Sequence, residues 1–265
     1  MKVLVLVKIV PKGNNMLTNQ IDSAVMRDNV ESVISPGDLK ALEAALKLKE
    51  SGACDSLTVI CMGVRSKSDL LKETLALGAD RAILLSDMNF AGADTLATAY
   101  TLSKAIENLR DIDLIFCGAQ STDGETGQVG PSVASIIGIP FITNAQKIEA
   151  ANDYSVLVTR QGDYGKENVE MRLPGLITVS RNSEIPRLPS LANLIKAERS
   201  QIEVWTSEDI KADINQCGKK GSRTAIKKTS YAEYVTKCEI VSGDTCKNVS
   251  VLVEKVFKKY RNCFK

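Results

Sequence analysis

Residues 118–131 form a glycine-rich stretch in which hydroxyl and amide side chains alternate with four glycines. Glycine lets a backbone approach a ligand closely, and consecutive main-chain N–H groups ahead of a helix can bind phosphate. We interpret this stretch as a nucleotide-binding loop, and a long turn before a helix is the alternative. It lacks the Gly-Lys-Ser/Thr of a Walker loop and does not read Gly-x-Gly-x-x-Gly. Because Asp123 and Glu125 would repel phosphate if they faced it, we expect them to cap the turn or meet a ribose hydroxyl.

Five polar residues outside this stretch could contact a ligand or stabilise the fold. Asp94 has the residue type and position of a helix N-cap, and the same geometry would offer the hydroxyls of Thr95 and Thr98, one turn apart, to a cofactor. Lys8 is either a solvated charge at a strand end or a neighbour of phosphate. Arg181 is a candidate for a surface ion pair.

The composition excludes several classes of chemistry. There is no histidine, and the seven cysteines include no Cys-x-x-Cys pair. We therefore expect no catalytic acid–base residue, no nucleophile–histidine device, no metal site and reduced cysteines in a cytoplasmic protein. A net charge of +2 indicates neither nucleic-acid binding nor an anionic membrane partner. No apolar run has the length of a membrane helix, and the apolar start before Lys8 is too short for a signal peptide.

Strand and helix patterns alternate as far as Pro140, which predicts an α/β fold with a doubly wound, mostly parallel, Rossmann-like sheet of the adenine-nucleotide-binding type. The carboxyl ends of its strands should bring the candidate residues to one edge. Predicted strands are Val3–Ile9, Leu57–Met62, Ala82–Leu85 and Asp113–Cys117, and predicted helices begin at Ser35, Ser66, Thr95 and Thr126.

The helix that begins at Ser35 has a strong start signal. Ser35 suits the N-cap, Pro36 the first turn, and Asp38 the return position of a capping box. Ser51-Gly52 should end this helix.

After Pro140 the pattern changes to short strands at Val156–Arg160, Val169–Leu173 and Leu176–Ser180, with a turn at Asp163–Gly165. A loop over 184–197 leads into a short amphipathic helix. We predict a nucleotide-binding domain over residues 1–200, which includes this loop, and a polar C-terminal extension over 201–265. Its last helix, about Val249–Tyr260, either docks on a partner or packs on its own domain.

Taken together, the order and spacing of these motifs resemble the electron-transfer flavoprotein β-subunit family over nearly the whole length. No single motif is decisive. The matching stretches are Val7-Lys8, Ser35-Pro36 with 41–45, Met62-Gly63, 75–80, Gln120–Pro131, Leu173-Pro174, Val179–Arg181 and 186–197.

The resemblance implies a heterodimer with an α subunit that carries the electron-transferring FAD, while the β subunit holds an adenine nucleotide. In ordinary members this is AMP, and in electron-bifurcating members it is a second FAD that accepts hydride from NADH. Residues 86–98 resemble the FAD-binding version. The resemblance also implies an acyl-CoA dehydrogenase-type partner and a C-terminal arm, 201–265, that packs on the α subunit.

The family's site residues carry over to matching positions in this sequence. Asp94, Thr95 and Thr98 would contact the flavin. The loop over 184–197 would recognise the partner, and Leu191 in it matches the family's hydrophobic anchor for the dehydrogenase, with a core leucine as the alternative. The adenosine diphosphate portion would be held by Leu6, Lys8, Ser35, Met62 and the loop residues Gln120, Ser121, Thr122, Asp123, Gly124, Thr126, Gly127, Gln128, Val129, Gly130 and Ser132.

Two positions depart from the family pattern. Ala119 stands where arginine or lysine is usual, and Ser35 where asparagine is common. Loss of a cation beside a diphosphate weakens its binding, which bears on bifurcation more than on membership. A free-standing nucleotide-binding stress or signalling protein of similar fold is a third hypothesis, and the Ser-Gly-Gly-x-Asp-Ser motif of ATP pyrophosphatases is absent.

Overall fold

A computed structural model describes residues 1–12, 31–183, 185–225, 240 and 243–260. Glu184 of the predicted partner loop and parts of the predicted C-terminal arm lie outside these residues. The chain divides into two compact units, Met1–Lys228 and Thr229–Lys265. The first unit extends beyond residue 200, because a short strand over Glu203–Trp205 pairs there with the main sheet.

The first unit is built on a nine-stranded sheet in the order β11-β5-β4-β1-β6-β10-β7-β8-β9, beside a two-stranded sheet of β2 and β3. The strands are β1 Lys2–Val7, β2 Ile9–Pro11, β3 Ser32–Ile34, β4 Ser56–Met62, β5 Arg81–Leu85, β6 Leu114–Gly118, β7 Phe141–Asn152, β8 Ser155–Gly162, β9 Gly165–Arg172, β10 Gly175–Val179 and β11 Glu203–Trp205. The helices are α1 Pro36–Glu50, α2 Lys72–Leu77, α3 Thr95–Leu109, α4 Val129–Ile137, α5 Leu191–Glu198, α6 Gly218–Gly221 and α7 Thr245–Tyr260, with 3₁₀ turns at Arg65–Leu71 and Met88–Phe90.

Neighbouring strands from β11 to β7 run parallel, and β8 and β9 add an antiparallel edge. Apolar residues cover both faces of the parallel part. Val3 and Val5 face one core cluster with α1, whereas Leu4 and Leu6 face the other with α3 and α4. Burial on both faces explains why these strands are continuous apolar runs. The predicted doubly wound α/β fold is confirmed.

The order of the strands indicates where a ligand would bind to the first unit. From β1 the chain goes to β4 and then β5 on one side, and β6 lies on the other side of β1. The loops after β1 and β6 therefore leave the sheet in opposite directions and open a crevice at its carboxyl edge, the usual ligand site of such sheets.

Several predicted boundaries were wrong. The Val3–Ile9 strand breaks at Lys8, because Ile9 pairs with β3 instead of continuing in the main sheet. The helix expected from Ser66 begins as a 3₁₀ turn, and the helix expected from Thr126 begins at Val129 because Gly127 has a left-handed φ of 63°. Strands β7 and β11 were not predicted.

In the second unit, α7 is an amphipathic helix with an exposed apolar face. Val249, Leu252, Val253 and Phe257 each expose close to half of their surface or more. This unit is part of the predicted C-terminal arm, 201–265, whose packing on an α subunit remains a prediction. Among the described residues, no helix combines the length and the apolar composition needed to span a membrane.

Candidate functional site

A buried carboxylate joins the two strand ends that border the crevice. Asp38, in the first turn of α1, accepts a hydrogen bond from the Lys8 N–H at Oδ2 (2.9 Å) and one from the Gly118 N–H at Oδ1 (2.8 Å). It thereby links the end of β1 to the end of β6. The predicted capping box was wrong, since Ser35 makes no side-chain cap bond and the Asp38 carboxylate is committed to the strand ends.

Burial makes the negative charge of the Asp38 carboxylate energetically unfavourable. Burial raises the pKa of Asp38 from 3.8 to about 6, although the amides of Gly118 and Lys8 oppose that shift by favouring the ionised form. The neighbouring Ser35 hydroxyl also acts to lower this pKa, but it is completely buried and is not in standard hydrogen-bond geometry with any described group. A buried hydroxyl that lacks a hydrogen-bond partner beside the crevice can form a hydrogen bond with a ligand.

The Asp38 carboxyl should make stability depend on pH. Its pKa in the folded chain lies above that of an ordinary aspartate, so its favourable contribution is complete below about pH 3.8 and is lost as the pH rises through about 6. We expect the free energy of unfolding of the wild type, relative to Asp38→Asn, to fall by at most about 3 kcal/mol over this window. Urea denaturation of both proteins at pH 4 and pH 7 measures this difference. A constant difference would contradict the assigned environment of Asp38.

Two ion pairs hold the glycine-rich loop. Lys8 Nζ lies 2.6 Å from Asp123 Oδ1, and Arg181 Nη2 lies 2.9 Å from Glu125 Oε1. Burial disfavours the charged form of Asp123, but the hydrogen bond and charge of Lys8 outweigh it and lower the pKa. The expectation that Asp123 and Glu125 cap the turn or meet a ribose hydroxyl stays a prediction. Arg181 forms the ion pair predicted for it.

Two glycines are required by close packing at the base of this loop. A Cβ atom on Gly118 would lie 2.6 Å from Asp38 Oδ1 and 2.8 Å from the carbonyl carbon of Gly37. On Gly130, in the first turn of α4, it would lie 2.7 Å from Cys117 Sγ and 2.9 Å from a Thr178 methyl group. Only glycine lets α1 and α4 approach the strand ends this closely.

The loop contains main-chain donors without an acceptor in the described part of the chain. Among the described residues, no hydrogen bond is donated by the N–H groups of Gly124, Thr126 or Gly127. They precede the first turn of α4, whose positive end favours an anion. With the cations Lys8 and Arg181 each paired to a loop carboxylate, backbone amides are the donors best placed for a phosphate. The buried Ser35 hydroxyl and these amides fit a ligand that carries a phosphate.

The start of α3 borders the same loop. Thr95 Oγ1 lies 3.2 Å from Gln128 Oε1, which ties α3 to the residue before α4. Asp94 is the N-cap, as predicted, and its Oδ1 accepts from the Leu96 and Ala97 amides. Its Oδ2 accepts from the N–H of Arg223, the N–H of Thr224 and the Thr224 hydroxyl, each within 3.0 Å.

The structure brings most predicted site residues to one edge, although their contacts with a ligand stay predictions. Ser35, Lys8 and Gly118 lie next to Asp38. The 120–132 loop is joined to Lys8 through Asp123 and to Thr95 through Gln128. Met62 ends the neighbouring strand β4. The Leu6 side chain lies in the core, so only its backbone borders this edge.

Leu191 lies in a different part of the first unit, as the first residue of α5, which packs against α2. Its side chain is 74% exposed, which removes the alternative that it is a core leucine.

Sequence reasoning missed the linking role of Asp38 and the contact of residues 222–224 with Asp94. Neither has a local signal, because the partners are separated by 80 and 130 positions.

Burial raises the pKa of the Cys61 thiol to about 12, so that thiol is inert at neutral pH. Among the described residues no group of three metal-ligating side chains occurs.

Comparison with known proteins gives consistent matches. A family model described as the electron transfer flavoprotein domain matches residues 23–210. The chain is 38% identical to the electron transfer flavoprotein subunit beta of Thermoanaerobacterium thermosaccharolyticum, over 98% of this chain and 99% of that protein. It is 35% identical to CarD, a subunit of the caffeyl-CoA reductase-Etf complex of Acetobacterium woodii, over 98% and 99%. Protein FixA of Azorhizobium caulinodans is 34% identical over 98% and 95%.

Proposed function

Since this chain belongs to the electron transfer flavoprotein family and matches its β subunits over nearly its full length, we propose that its crevice binds FAD. In this proposal the chain and an α subunit take electron pairs from NADH and divide them, by electron bifurcation, between an acyl-CoA dehydrogenase-type partner and a second electron acceptor of lower potential. Family membership sets aside the hypothesis of a free-standing stress or signalling protein.

The observation that carries the proposal is the position of the glycine-rich loop at the point where strand order reverses. Its amides at Gly124, Thr126 and Gly127 precede the positive end of α4. Donors in this arrangement suit the diphosphate of a dinucleotide as well as the single phosphate of AMP.

When bound, FAD itself supplies the hydride and one-electron chemistry. The residues of this chain would bind and orient it. Asp38 fixes the strand ends, Lys8 neutralises Asp123 so that the loop does not repel phosphate, and Thr98 offers a hydroxyl in the first turn of α3. A chain without histidine fits this division of labour, because none of these tasks moves a proton.

The alternative is a structural β subunit that binds AMP in a one-flavin complex, and a specific contact favours it. Asp94, one of the residues that the flavin would contact, already accepts hydrogen bonds at both carboxylate oxygens from its own chain. Flavin binding there would have to coexist with residues 222–224 or displace them. Ala119, which brings no cation to the loop, points in the same direction.

The nature of the partner is supported by one relative. CarD is by its name part of a complex with a caffeyl-CoA reductase, an oxidoreductase that acts on a CoA thioester. We propose a partner of the same class for this chain, docked at Leu191.

A cofactor count tests the proposal. The αβ complex is purified and denatured, and the released flavin and AMP are counted per heterodimer. Two FAD per heterodimer would support the proposal, whereas one FAD with one AMP would establish the alternative.

Thr98→Val tests the flavin contact with little effect on folding, because the Thr98 hydroxyl makes no hydrogen bond with any described residue. We expect this variant to lose about tenfold in affinity for the β-site flavin, the effect of one lost hydrogen bond of about 1.4 kcal/mol. Flavin occupancy is measured while the αβ complex is diluted in steps. Asp94→Ala should lower occupancy too, but it also removes a helix cap.

The matched control is Thr101→Val, which removes a hydroxyl from the next turn of α3, where it bonds to the Ala97 carbonyl and faces the protein interior. Unchanged flavin occupancy in Thr98→Val would refute the assignment of Thr98.

A further inference from the structure

Arg187 joins the segment that precedes α5 to helix α1. Its Nε and Nη2 lie 2.9 Å from the two carboxylate oxygens of Glu43, and its Nη1 bonds to Glu50. The Arg187 main-chain N–H also donates to Glu43, at 3.0 Å. Both the backbone and the side chain at this position are therefore fixed to α1.

The electrostatics of this cluster favour a persistent contact. The Glu43 side chain is only 6% exposed, and burial alone would raise its pKa. The hydrogen bonds and charge of Arg187 outweigh burial and lower the pKa of Glu43, while the two glutamates raise the pKa of Arg187. A planar guanidinium that meets a carboxylate in two parallel bonds is more strongly oriented than a lysine would be.

The segment held in this way carries exposed apolar side chains. Ile185, Leu188 and Leu191 are 88%, 90% and 74% exposed. Among the described residues, the hydrogen bonds that join residues 185–190 to the rest of the fold all come from Arg187. Ser190 only caps the start of α5, through the Asn193 amide.

We propose that Arg187 is a positioning residue for partner docking, which holds residues 185–190 in a fixed conformation through Glu43 and Glu50 before the partner binds. This rests on the proposed function, in which Leu191 meets the dehydrogenase. A segment that is ordered beforehand loses less conformational entropy on binding, so a partner binds it more tightly.

The test uses the complete αβ complex and an acyl-CoA dehydrogenase chosen because it exchanges electrons with the wild type. In Arg187→Ala we expect the KM for the dehydrogenase to rise about tenfold with kcat within about twofold, since docking but not electron transfer is affected. Hydrogen exchange of the free complex should show faster exchange of the amides of residues 185–191. Flavin content should not change.

Three further variants sharpen the result. Arg187→Lys keeps the positive charge but cannot form the two parallel hydrogen bonds of a guanidinium. It should therefore restore only part of the affinity for the dehydrogenase. Glu50→Gln leaves the buried pair intact and should give a smaller rise in KM, and it serves if Arg187→Ala does not assemble. Arg160→Ala breaks a comparable pair with Glu167 on the β8–β9 edge and should leave the KM unchanged.

Each outcome decides a separate question. Unchanged exchange in Arg187→Ala, or faster exchange with an unchanged KM, would overturn the positioning role. The docking site is tested independently by Leu191→Ala. If that variant keeps the wild-type KM, the proposed partner surface fails, whatever the exchange data show for Arg187.

Discussion

Gly118→Ala is expected to be strongly destabilising, although it adds a single methyl group at the carboxyl edge. The added Cβ would lie 2.6 Å from Asp38 Oδ1 and 2.8 Å from the Gly37 carbonyl carbon. Both atoms are held by α1, so either the helix start or the end of β6 must move. Overpacking of this kind costs about 1–3 kcal/mol, and a strained Asp38 bridge adds to it because buried N–H groups lose their acceptor.

The same displacement should disturb the nucleotide site, because the loop begins at Gly118. We expect a loss of about 3 kcal/mol in the free energy of unfolding and of at least about tenfold in nucleotide affinity. Urea denaturation measures the first quantity. AMP and FAD titrations of the nucleotide-depleted αβ complex measure the second.

Gly63→Ala is the matched control for Gly118→Ala. Gly63 follows the end of the neighbouring strand β4, but a Cβ there would meet its nearest atom, Leu84 Cδ1, at an ordinary 3.7 Å. This variant should stay within about 1 kcal/mol of the wild type. If the two variants were equally stable, the close approach of α1 to β6 would not be a feature of the folded chain.

The fold was largely predictable because its signals are local. The bounds of α3, Thr95–Leu109, follow from the Asp94 cap and the spacing of Leu102, Ile106 and Leu109. The parallel strands can be recognised as continuous apolar runs, because they are buried on both faces. By contrast, β7 was missed because it is mostly exposed and lacks a clean alternation of apolar and polar residues.

The glycine-rich loop of the candidate site could be predicted from the sequence, but the residues that hold it in place could not. Glycines and hydroxyls in a short stretch reveal a nucleotide loop locally. The pairing of Lys8 with Asp123, or of Arg187 with Glu43, joins residues 115 and 144 positions apart, and one sequence holds no pattern that selects such partners. Asp38 was misread because the capping box is a local explanation, whereas its actual partners come from two distant strand ends.

The same distant pairing makes a second large effect predictable. Lys8→Met removes the partner of Asp123, whose side chain is only 11% exposed. The carboxylate would then be left without its counter-charge inside the loop, free to repel a phosphate. We expect nucleotide affinity to fall by about 10- to 100-fold, equivalent to about 1.4–2.8 kcal/mol, in AMP and FAD titrations of the nucleotide-depleted αβ complex.

A double-variant cycle separates the two roles open to Lys8. If Lys8 acts by neutralising Asp123, then Asp123→Asn alone should leave affinity within about threefold, and the combination of Lys8→Met with Asp123→Asn should recover most of the loss. If Lys8 instead contacts phosphate directly, the double variant will bind as poorly as Lys8→Met. The 2.6 Å pair favours recovery, because a lysine committed to a loop carboxylate stabilises the anion site chiefly by removing a negative charge from it.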